Sequence, residues 1–318
     1  MATLMSLVRP SAALHMKHRA PYRAAVSIRT HTRKVLLSHG AHMPRLGRSQ
    51  PVRVSASAGG VLPPPANYEN IVGLGAKKAA LPIDKALVMG VMAGVYIGFG
   101  AFLMASVGGM CQGIGAANPG LKMIISGAFG LPFGLLMVLN MGAELFTGNA
   151  ALCTAAVIEG KATVGNLLRN WTWSYVGNLI GSLVMVAMVY YSGVMGPASA
   201  PVGMAVAKTS QTFLQAFLRG VLCNILVCSG VVQASAAQDM GGKAVGVWFP
   251  ISAFVALGLE HSVANMFLIP LGMMLGAPVT TSQFVMNNLI PVTLGNIVGA
   301  VVFVAIANGY IFGKLGKQ

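Results

Sequence analysis

The chain has 318 residues, of which 55% are hydrophobic and only 8% are charged, and its mean hydropathy is +0.73. A soluble domain of this length would need far more polar surface, so the composition excludes one and predicts an integral membrane protein. The formal net charge of +15 does not indicate nucleic-acid binding, because residues 1–55 hold ten of the 21 Lys and Arg and no acidic residue.

Residues 1–55 are rich in Arg, Ala and Ser and lack the apolar core of a secretory signal. This composition predicts a disordered organellar transit peptide. The stretch VRVSASAGG (52–60) resembles a chloroplast processing site, while a mitochondrial destination stays open. Residues 56–85 follow, and the sequence VLPPPANYENIVGLGAKKAALP within them predicts a linker and a short helix at the membrane surface.

Six apolar segments come next, each near the ~20 residues that a helix needs to cross a bilayer. They cover about 86–109, 121–158, 167–192, 212–236, 244–275 and 287–312. The second and fifth are interrupted by Gly and polar residues, and the six together define a pore domain, 86–312, with a short tail, 313–318. Basic residues are concentrated on the side of the two termini, with only Lys122 and Lys208 opposite. This predicts both termini on the cytoplasm-equivalent side, which is the stroma if the membrane is the chloroplast inner envelope.

The two halves of the chain share motifs. GAELFTGN (142–149) and GLEHSVAN (258–265) have the common spacing G-x-E-x4-N at an offset of 116 residues. NWTWSYVGNLIG (170–181) and NNLIPVTLGNIVG (287–299) each contain two Asn eight residues apart, at an offset of 118. Because three spans per half is an odd number, the halves must have opposite orientations, which is the inverted-repeat plan of transporters and channels. The two broken helices then indicate a substrate path.

The interrupted segments carry the polar residues of this predicted path. His261 is the single histidine outside the predicted transit peptide, 1–55. Because the pKa of a histidine side chain is ordinarily near ~6.5, it can give an anion a hydrogen bond or a proton. The alternative is a neutral ring that only ties the two broken loops together. Thr147 places a hydroxyl where the other half has Val263. Lys208 either attracts anions or is an ordinary interfacial lysine, and Arg219 lies inside the fourth segment without an evident counter-charge.

Glu144 and Glu260 are predicted to be structural, because a carboxylate facing the path would repel anions. Each is expected to accept hydrogen bonds from free backbone N–H groups at its helix break, with Asn149 and Asn265 as structural residues of the same loops. Apolar side chains beside the breaks are candidate constrictions, namely Leu131, Leu135, Phe146, Val227 and Phe254. Since no nucleophile–base pair or metal-ligand set is evident, no catalytic residue, metal or cofactor is predicted.

GAELFTGN, NWTWSYVGNLIG, GVLCNILVC (220–228), GLEHSVANMFLIP (258–270) and NNLIPVTLGNIVG together resemble the formate/nitrite transporter family over about residues 65–315. With its leader, the chain is similar to the plastid nitrite transporters of green algae, a branch that also includes a bicarbonate channel. The resemblance implies an all-α, aquaporin-like bundle of six spans with an inverted 3+3 repeat and two broken helices. It also implies a homopentamer with one pore per subunit.

By motif, the resemblance implies that His261 is the family's central histidine, Thr147 its hydrogen-bonding threonine and Lys208 its vestibule lysine. Its pore-lining asparagines match Asn224 and Asn296, and its apolar constrictions match Leu135, Phe146, Val227 and Phe254. Leu131 stands where some bacterial members carry phenylalanine, so a formate preference does not follow from the resemblance.

The expected function is transport of a small monovalent anion, above all nitrite, across the chloroplast inner envelope into the stroma. Bicarbonate or formate transport stays open, because small planar anions accept similar hydrogen bonds. A neutral-solute pore is disfavoured, since the paired Asn-Pro-Ala signatures of aquaporins are absent. The expected partners are the anion, the lipid membrane and further copies of the chain in the pentamer.

Overall fold

The structure is a computed structural model that describes residues 60–196 and 199–317. The predicted transit peptide, 1–55, lies outside the described residues, as does the first part of the predicted linker. Apart from an isolated bridge between Val61 and Ala237, the regular structure in the described part of the chain is entirely helical. This confirms the predicted all-α class.

The described chain opens with α1 (Pro64–Ala79) and α2 (Ile83–Met110). α1 has a proline in its first turn, where the missing N–H would have no partner in any case. The helix predicted between 56 and 85 is therefore present, and its position at a membrane surface stays a prediction. α2 has 28 residues, which is long enough to cross a bilayer.

The first broken helix follows a short connection, α3 (Gln112–Ala117). It consists of α4 (Pro119–Ala128), α5 (Leu131–Asn140) and α6 (Phe146–Ile158). The main break lies between α5 and α6, where Gly142 has a φ of +73° that favours glycine. A second interruption, between α4 and α5, was not predicted, and the proline in the first turn of α5 explains why a new helix begins there.

The second half repeats this arrangement after α7 (Val164–Tyr191). It begins with α8 (Ala200–Thr209) and α9 (Phe213–Ala236), and its broken helix consists of α10 (Met240–Ala256) and α11 (Ser262–Met274). Gly258, at this break, has a φ of +66°. The last helix, α12 (Thr281–Phe312), contains π-helical turns at Phe284–Leu289 and Val301–Ile306.

Five helices of the described residues are long and apolar enough to cross a membrane, namely α2, Pro119–Asn140, α7, α9 and α12. The fifth predicted segment, 244–275, is divided by the structure into α10 and α11, which have 17 and 13 residues. Neither is long enough to cross alone, so the span that the sequence predicts there is a pair of helices joined at the break. The two predicted broken helices are thus confirmed.

Close helix packing repeats between the halves. α2 packs on α7 where a Cβ on Gly181 would collide with the carbonyl oxygen of Val91. α9 packs on α12 in the same way, and there a Cβ on Gly299 would collide with the carbonyl oxygen of Val221. Small residues at helix contacts permit this approach in membrane proteins. The equivalent contacts support the predicted inverted repeat.

We expect Gly181→Ala and Gly299→Ala each to lower the free energy of unfolding by about 1–3 kcal/mol, the usual cost of overpacking. The added Cβ meets a backbone carbonyl, which no change of rotamer can move aside. Thermal unfolding of the purified protein in detergent measures the loss. The matched control is Gly73→Ala, because a Cβ there has open space. Equal Tm values for Gly181→Ala and the wild type would contradict the packing.

Candidate functional site

Glu144 holds the first helix break through three side chains. Its carboxylate accepts hydrogen bonds from Lys78 Nζ at 2.6 Å, Asn149 Nδ2 at 2.6 Å and Asn170 Nδ2 at 3.0 Å. Asn170 Nδ2 also donates to the carbonyl oxygen of Lys78 at 2.9 Å. Since Lys78 lies on α1 and Asn170 on α7, the buried carboxylate ties both helices to the break.

Glu260 holds the second break through an equivalent set. Its carboxylate accepts hydrogen bonds from Lys208 Nζ at 3.0 Å, Asn265 Nδ2 at 2.7 Å and Asn288 Nδ2 at 3.3 Å. Asn288 Nδ2 again donates to the carbonyl oxygen of the lysine, at 3.0 Å. The repeat detected in the sequence is therefore a repeat of one hydrogen-bond network. The two carboxylates are only 1% and 2% exposed, which fits groups with every oxygen bonded.

The donors to these carboxylates differ from the expectation. Glu144 and Glu260 were expected to accept bonds from backbone N–H groups at the breaks, and their partners are side-chain ammonium and amide groups instead. Asn178 takes the backbone groups of the first break, accepting from Phe146 N–H at 3.0 Å and donating to the Glu144 carbonyl at 2.9 Å. The short amide reaches both groups of the unwound backbone, so the carboxylate is left for the lysine.

Asn296 does the same at the second break. Its Oδ1 accepts from Ser262 N–H at 2.9 Å, and its Nδ2 donates to the carbonyls of Glu260 and Gly220 at 3.0 and 2.9 Å. The resemblance implies a pore-lining asparagine here, but the side chain is fully buried and bonded to backbone. Broken helices inside a membrane protein are tolerated when such groups satisfy the free backbone.

Asn224, the other predicted pore-lining asparagine, is also buried. Its Nδ2 donates to the carbonyl oxygen of Thr147 at 3.1 Å and to that of Asn296 at 2.7 Å. It therefore joins the start of α6 to α12. We interpret both asparagines as supports of the broken helices rather than as contacts for a solute.

His261 caps α11 and contacts the opposite break. Its Nδ1 accepts a hydrogen bond from Ala264 N–H at 3.1 Å, so in the neutral ring the proton lies on Nε2. Nε2 is 3.0 Å from Thr147 Oγ1, to which it then donates. The ring stacks on Phe254 with the centroids 5.9 Å apart. The predicted pair of His261 and Thr147 is thus brought together, and the threonine keeps its own hydroxyl proton to donate.

A small cavity lies beside His261. Its volume is about 10 Å³, roughly the space for one water molecule. It is lined by Ile97, Leu131, Leu135, Leu145, Val227, Ile251, Phe254 and His261. Of these eight residues His261 is the polar one, so anything in the cavity meets one imidazole and an otherwise apolar wall.

The lining of this cavity also follows the repeat. Leu135 and Ile251 occupy equivalent positions in the two halves, 116 residues apart, and both line the cavity. His261 and Leu145 are a second such pair. The cavity therefore lies where the two halves meet, and the symmetry is broken there by one polar side chain.

Two further cavities adjoin the central one. The larger, of about 350 Å³, contains Lys208 and shares Leu131, Phe254 and His261 with the central cavity. The smaller, of about 20 Å³, contains Lys78 and shares Leu135 and Leu145 with it. A series of cavities therefore leads from one lysine–glutamate pair past His261 to the other, separated by apolar side chains.

The predicted constrictions occupy different places in this series. Leu131, Leu135, Val227 and Phe254 all line the central cavity. Phe146 does not line any of the three cavities. Its ring packs edge-on against Tyr175 and Trp171, with centroids 4.9 and 6.1 Å apart. This geometry favours a packing role for Phe146.

Four contributors to the site were missed in the sequence. Lys78 was used only to assign sidedness, although it lies 130 residues before Lys208 and matches it in the network. Asn170, Asn178 and Asn288 were recognised as repeat positions but given no role. The repeat was the signal that could have identified all four.

We expect the Lys78–Glu144 pair to show strong coupling in a double-mutant cycle. Lys78→Met leaves a buried carboxylate without its cation, which costs about 3 kcal/mol, the lower end of the range for breaking a buried pair. Lys78→Met combined with Glu144→Gln recovers part of the loss, because the amide needs no counter-charge. Thermal unfolding in detergent is the measurement. Additive losses would contradict the pairing.

Comparison with known proteins assigns the fold and the family. The family model described as formate/nitrite transporter matches residues 65–310. A probable formate transporter from Methanothermobacter thermautotrophicus is 44% identical over 257 residues, covering 74% of this chain and 92% of the relative. The chain spans nearly the whole of that protein.

Two solved structures are similar. One, an FNT family ion channel, has a TM-score of 0.71 and 29% identity, covering 77% of this chain and 98% of that one. The other, a pentameric formate channel with formate bound, has a TM-score of 0.63 and 31% identity, covering 72% and 97%. With its helices, its two breaks and this similarity, the chain is a multi-pass membrane protein of the formate/nitrite transporter family.

Proposed function

We propose that this protein conducts small monovalent anions, nitrite above all, through the series of cavities that passes His261. The observation that carries the proposal is the central cavity, where one imidazole interrupts an apolar wall between two lysine-containing cavities. An apolar wall alone would exclude an ion, and a charged wall would bind it too tightly. A neutral hydrogen-bond donor between the two offers a weak and reversible contact.

The proposed passage begins in the larger cavity, whose basic residues attract an anion. At Leu131 and Phe254 the anion loses water, because these side chains offer no hydrogen bond. His261 Nε2–H, which in the structure donates to Thr147 Oγ1, then shares its proton with the anion and replaces part of the lost hydration. The anion leaves past Leu135 toward the Lys78 side.

The hydrogen bonds of His261 determine how readily its ring can give a proton to the anion. A dehydrated anion binds a proton more readily, because desolvation disfavours the charged form. His261 supplies a hydrogen bond more easily than a proton, since a second ring proton at Nδ1 would break the bond from Ala264 N–H. We therefore propose that a proton that joins the anion comes through water at the cavity, while the imidazole orients it.

The setting of this function is proposed from two observations. The acid-free, Arg- and Ser-rich leader supports import into the chloroplast, with the inner envelope as the membrane and the stroma as the destination. The pentameric similar structure supports a homopentamer with one path in each subunit.

Formate is the second candidate substrate, because relatives are named as a formate transporter and a formate channel.

We expect His261→Asn to lower nitrite uptake by about ten-fold or more, the effect of losing one hydrogen bond to a charged group. Asparagine is a good helix N-cap, so α11 keeps its cap while the Nε2–H donor is lost. Initial rates in proteoliposomes at pH 5, 6, 7 and 8, the range in which histidine ordinarily titrates, provide the measurement. Wild-type rates across this range would contradict the role of the ring.

Thr147→Val is the matched variant, because it copies the residue at the equivalent position, Val263. It removes the hydroxyl without changing the size of the side chain. We expect a loss of uptake smaller than that of His261→Asn, since the imidazole donor remains. A loss larger than that of His261→Asn would make the threonine the principal contact.

The substrate is tested by competition among nitrite, formate and bicarbonate in one proteoliposome preparation. We expect nitrite to have the highest ratio of maximal rate to KM. A higher ratio for bicarbonate or formate would replace nitrite as the substrate while leaving the path unchanged. Osmotic swelling with neutral solutes and no anion current would reject anion conduction altogether.

A further inference from the structure

The charge of the larger cavity is not carried by Lys208. This cavity is lined by three basic residues, Lys122, Lys208 and Arg219, and by one acidic residue, Glu260. Lys208 Nζ lies 3.0 Å from Glu260 Oε2, so the charge of this lysine is balanced within the network at the break. The positive charge of the cavity therefore comes from Lys122 and Arg219.

Glu260 already receives four hydrogen bonds and does not contact Arg219 as an ion pair. Its Oε2 accepts hydrogen bonds from Lys208, Asn265 and Asn288, and its Oε1 accepts from Gln211 Nε2 at 2.8 Å. The residue is also only 2% exposed. The other acidic residues of the chain do not line this cavity.

Arg219 is an exposed residue that lines this cavity. Within 60–196 and 199–317, the ion pairs are Lys78–Glu144 and Lys208–Glu260, and Arg219 takes part in neither. Its backbone is nevertheless fixed, because its carbonyl accepts from Glu260 N–H at 3.4 Å. The guanidinium is therefore uncompensated in the described part of the chain and anchored beside the break.

The internal repeat shows that the scaffold does not need this arginine. The equivalent position in the first half is Met89, whose carbonyl accepts from Glu144 N–H at 3.1 Å. Both residues thus give the same backbone bond to the same network, and only one carries a charge. The guanidinium is available for a role that the fold does not explain.

We propose that Arg219 is the anion-docking residue of the larger cavity and that it selects planar anions with two oxygen atoms over spherical anions. Two parallel N–H groups of a guanidinium bind two oxygens of one anion together, as they do with carboxylates. A halide offers no second atom for this fork. Lys122 adds attraction without this directional preference. The inference rests on the proposed function, because it names the selective contact of the same path.

The test compares initial nitrite uptake in proteoliposomes for the wild type, Arg219→Met and Arg219→Lys, with and without chloride as competitor. Arg219→Met copies the residue of the first half, so the fold is expected to persist. We expect it to raise the KM for nitrite by about ten-fold, because a charged cleft raises the local concentration of an ion by at least about this factor. The maximal rate is expected to stay within about two-fold of the wild-type value. Arg219→Lys keeps the charge, and we expect it to restore most of the KM but not the preference for nitrite over chloride.

The control is Lys161→Met, an exposed lysine that does not line any of the three cavities. It removes one positive charge and is expected to leave the KM unchanged. If Arg219→Met has the wild-type KM for nitrite and the wild-type preference for nitrite over chloride, the inference about Arg219 is overturned. Anion conduction by the protein is not affected by that result. Uptake by the wild type that does not exceed that of empty vesicles rejects the proposed function instead. If Arg219→Met does not fold, Arg219→Lys decides, because an unchanged preference for nitrite overturns the two-oxygen contact.

Discussion

The structure depends on satisfying the free backbone groups of two helices that stop inside an apolar bundle. An unpaired amide or carbonyl at that depth costs several kcal/mol, roughly as much as a domain can lose before it unfolds. One asparagine at each break, Asn178 and Asn296, bonds both sides of the unwound backbone. Once these groups are paired, the carboxylates are left for the lysines, and the ends of the half-helices can adjoin the central cavity without exposing an unpaired group.

The two halves share a scaffold and differ where a solute would pass. The lysine, the glutamate and three asparagines recur in both halves with the same partners. Two positions that break this symmetry line the proposed path, namely His261, equivalent to Leu145, and Arg219, equivalent to Met89. A duplicated framework thus allows one half to carry polar contacts while its counterpart remains apolar. The two ends of the proposed path therefore differ chemically.

Much of this arrangement could be predicted from the sequence. The repeated G-x-E-x4-N spacing located both breaks, and the isolated histidine located their meeting point. The partners were harder to predict, because a repeat shows which positions are equivalent and not which side chains meet. Glu144 was therefore paired with backbone groups instead of Lys78, which comes from a helix expected only at a surface. Phe146 was predicted as a constriction from its apolarity alone, which does not reveal that its ring packs against Tyr175, and its place in the path stays a prediction. The leader, 1–55, lies outside the described residues.

The hydrogen bonds to the buried glutamate at each break all come from residues of its own half. The first set draws on Lys78 through Asn178, and the second on Lys208 through Asn296. The described residues of the connection between α7 and α8, 192–196 and 199, contribute nothing to either set of bonds. A nick in that connection would leave each carboxylate with its own donors, so the two fragments would be held together by contacts between the halves, such as Asn224 to the Thr147 carbonyl and Tyr175 to Thr293.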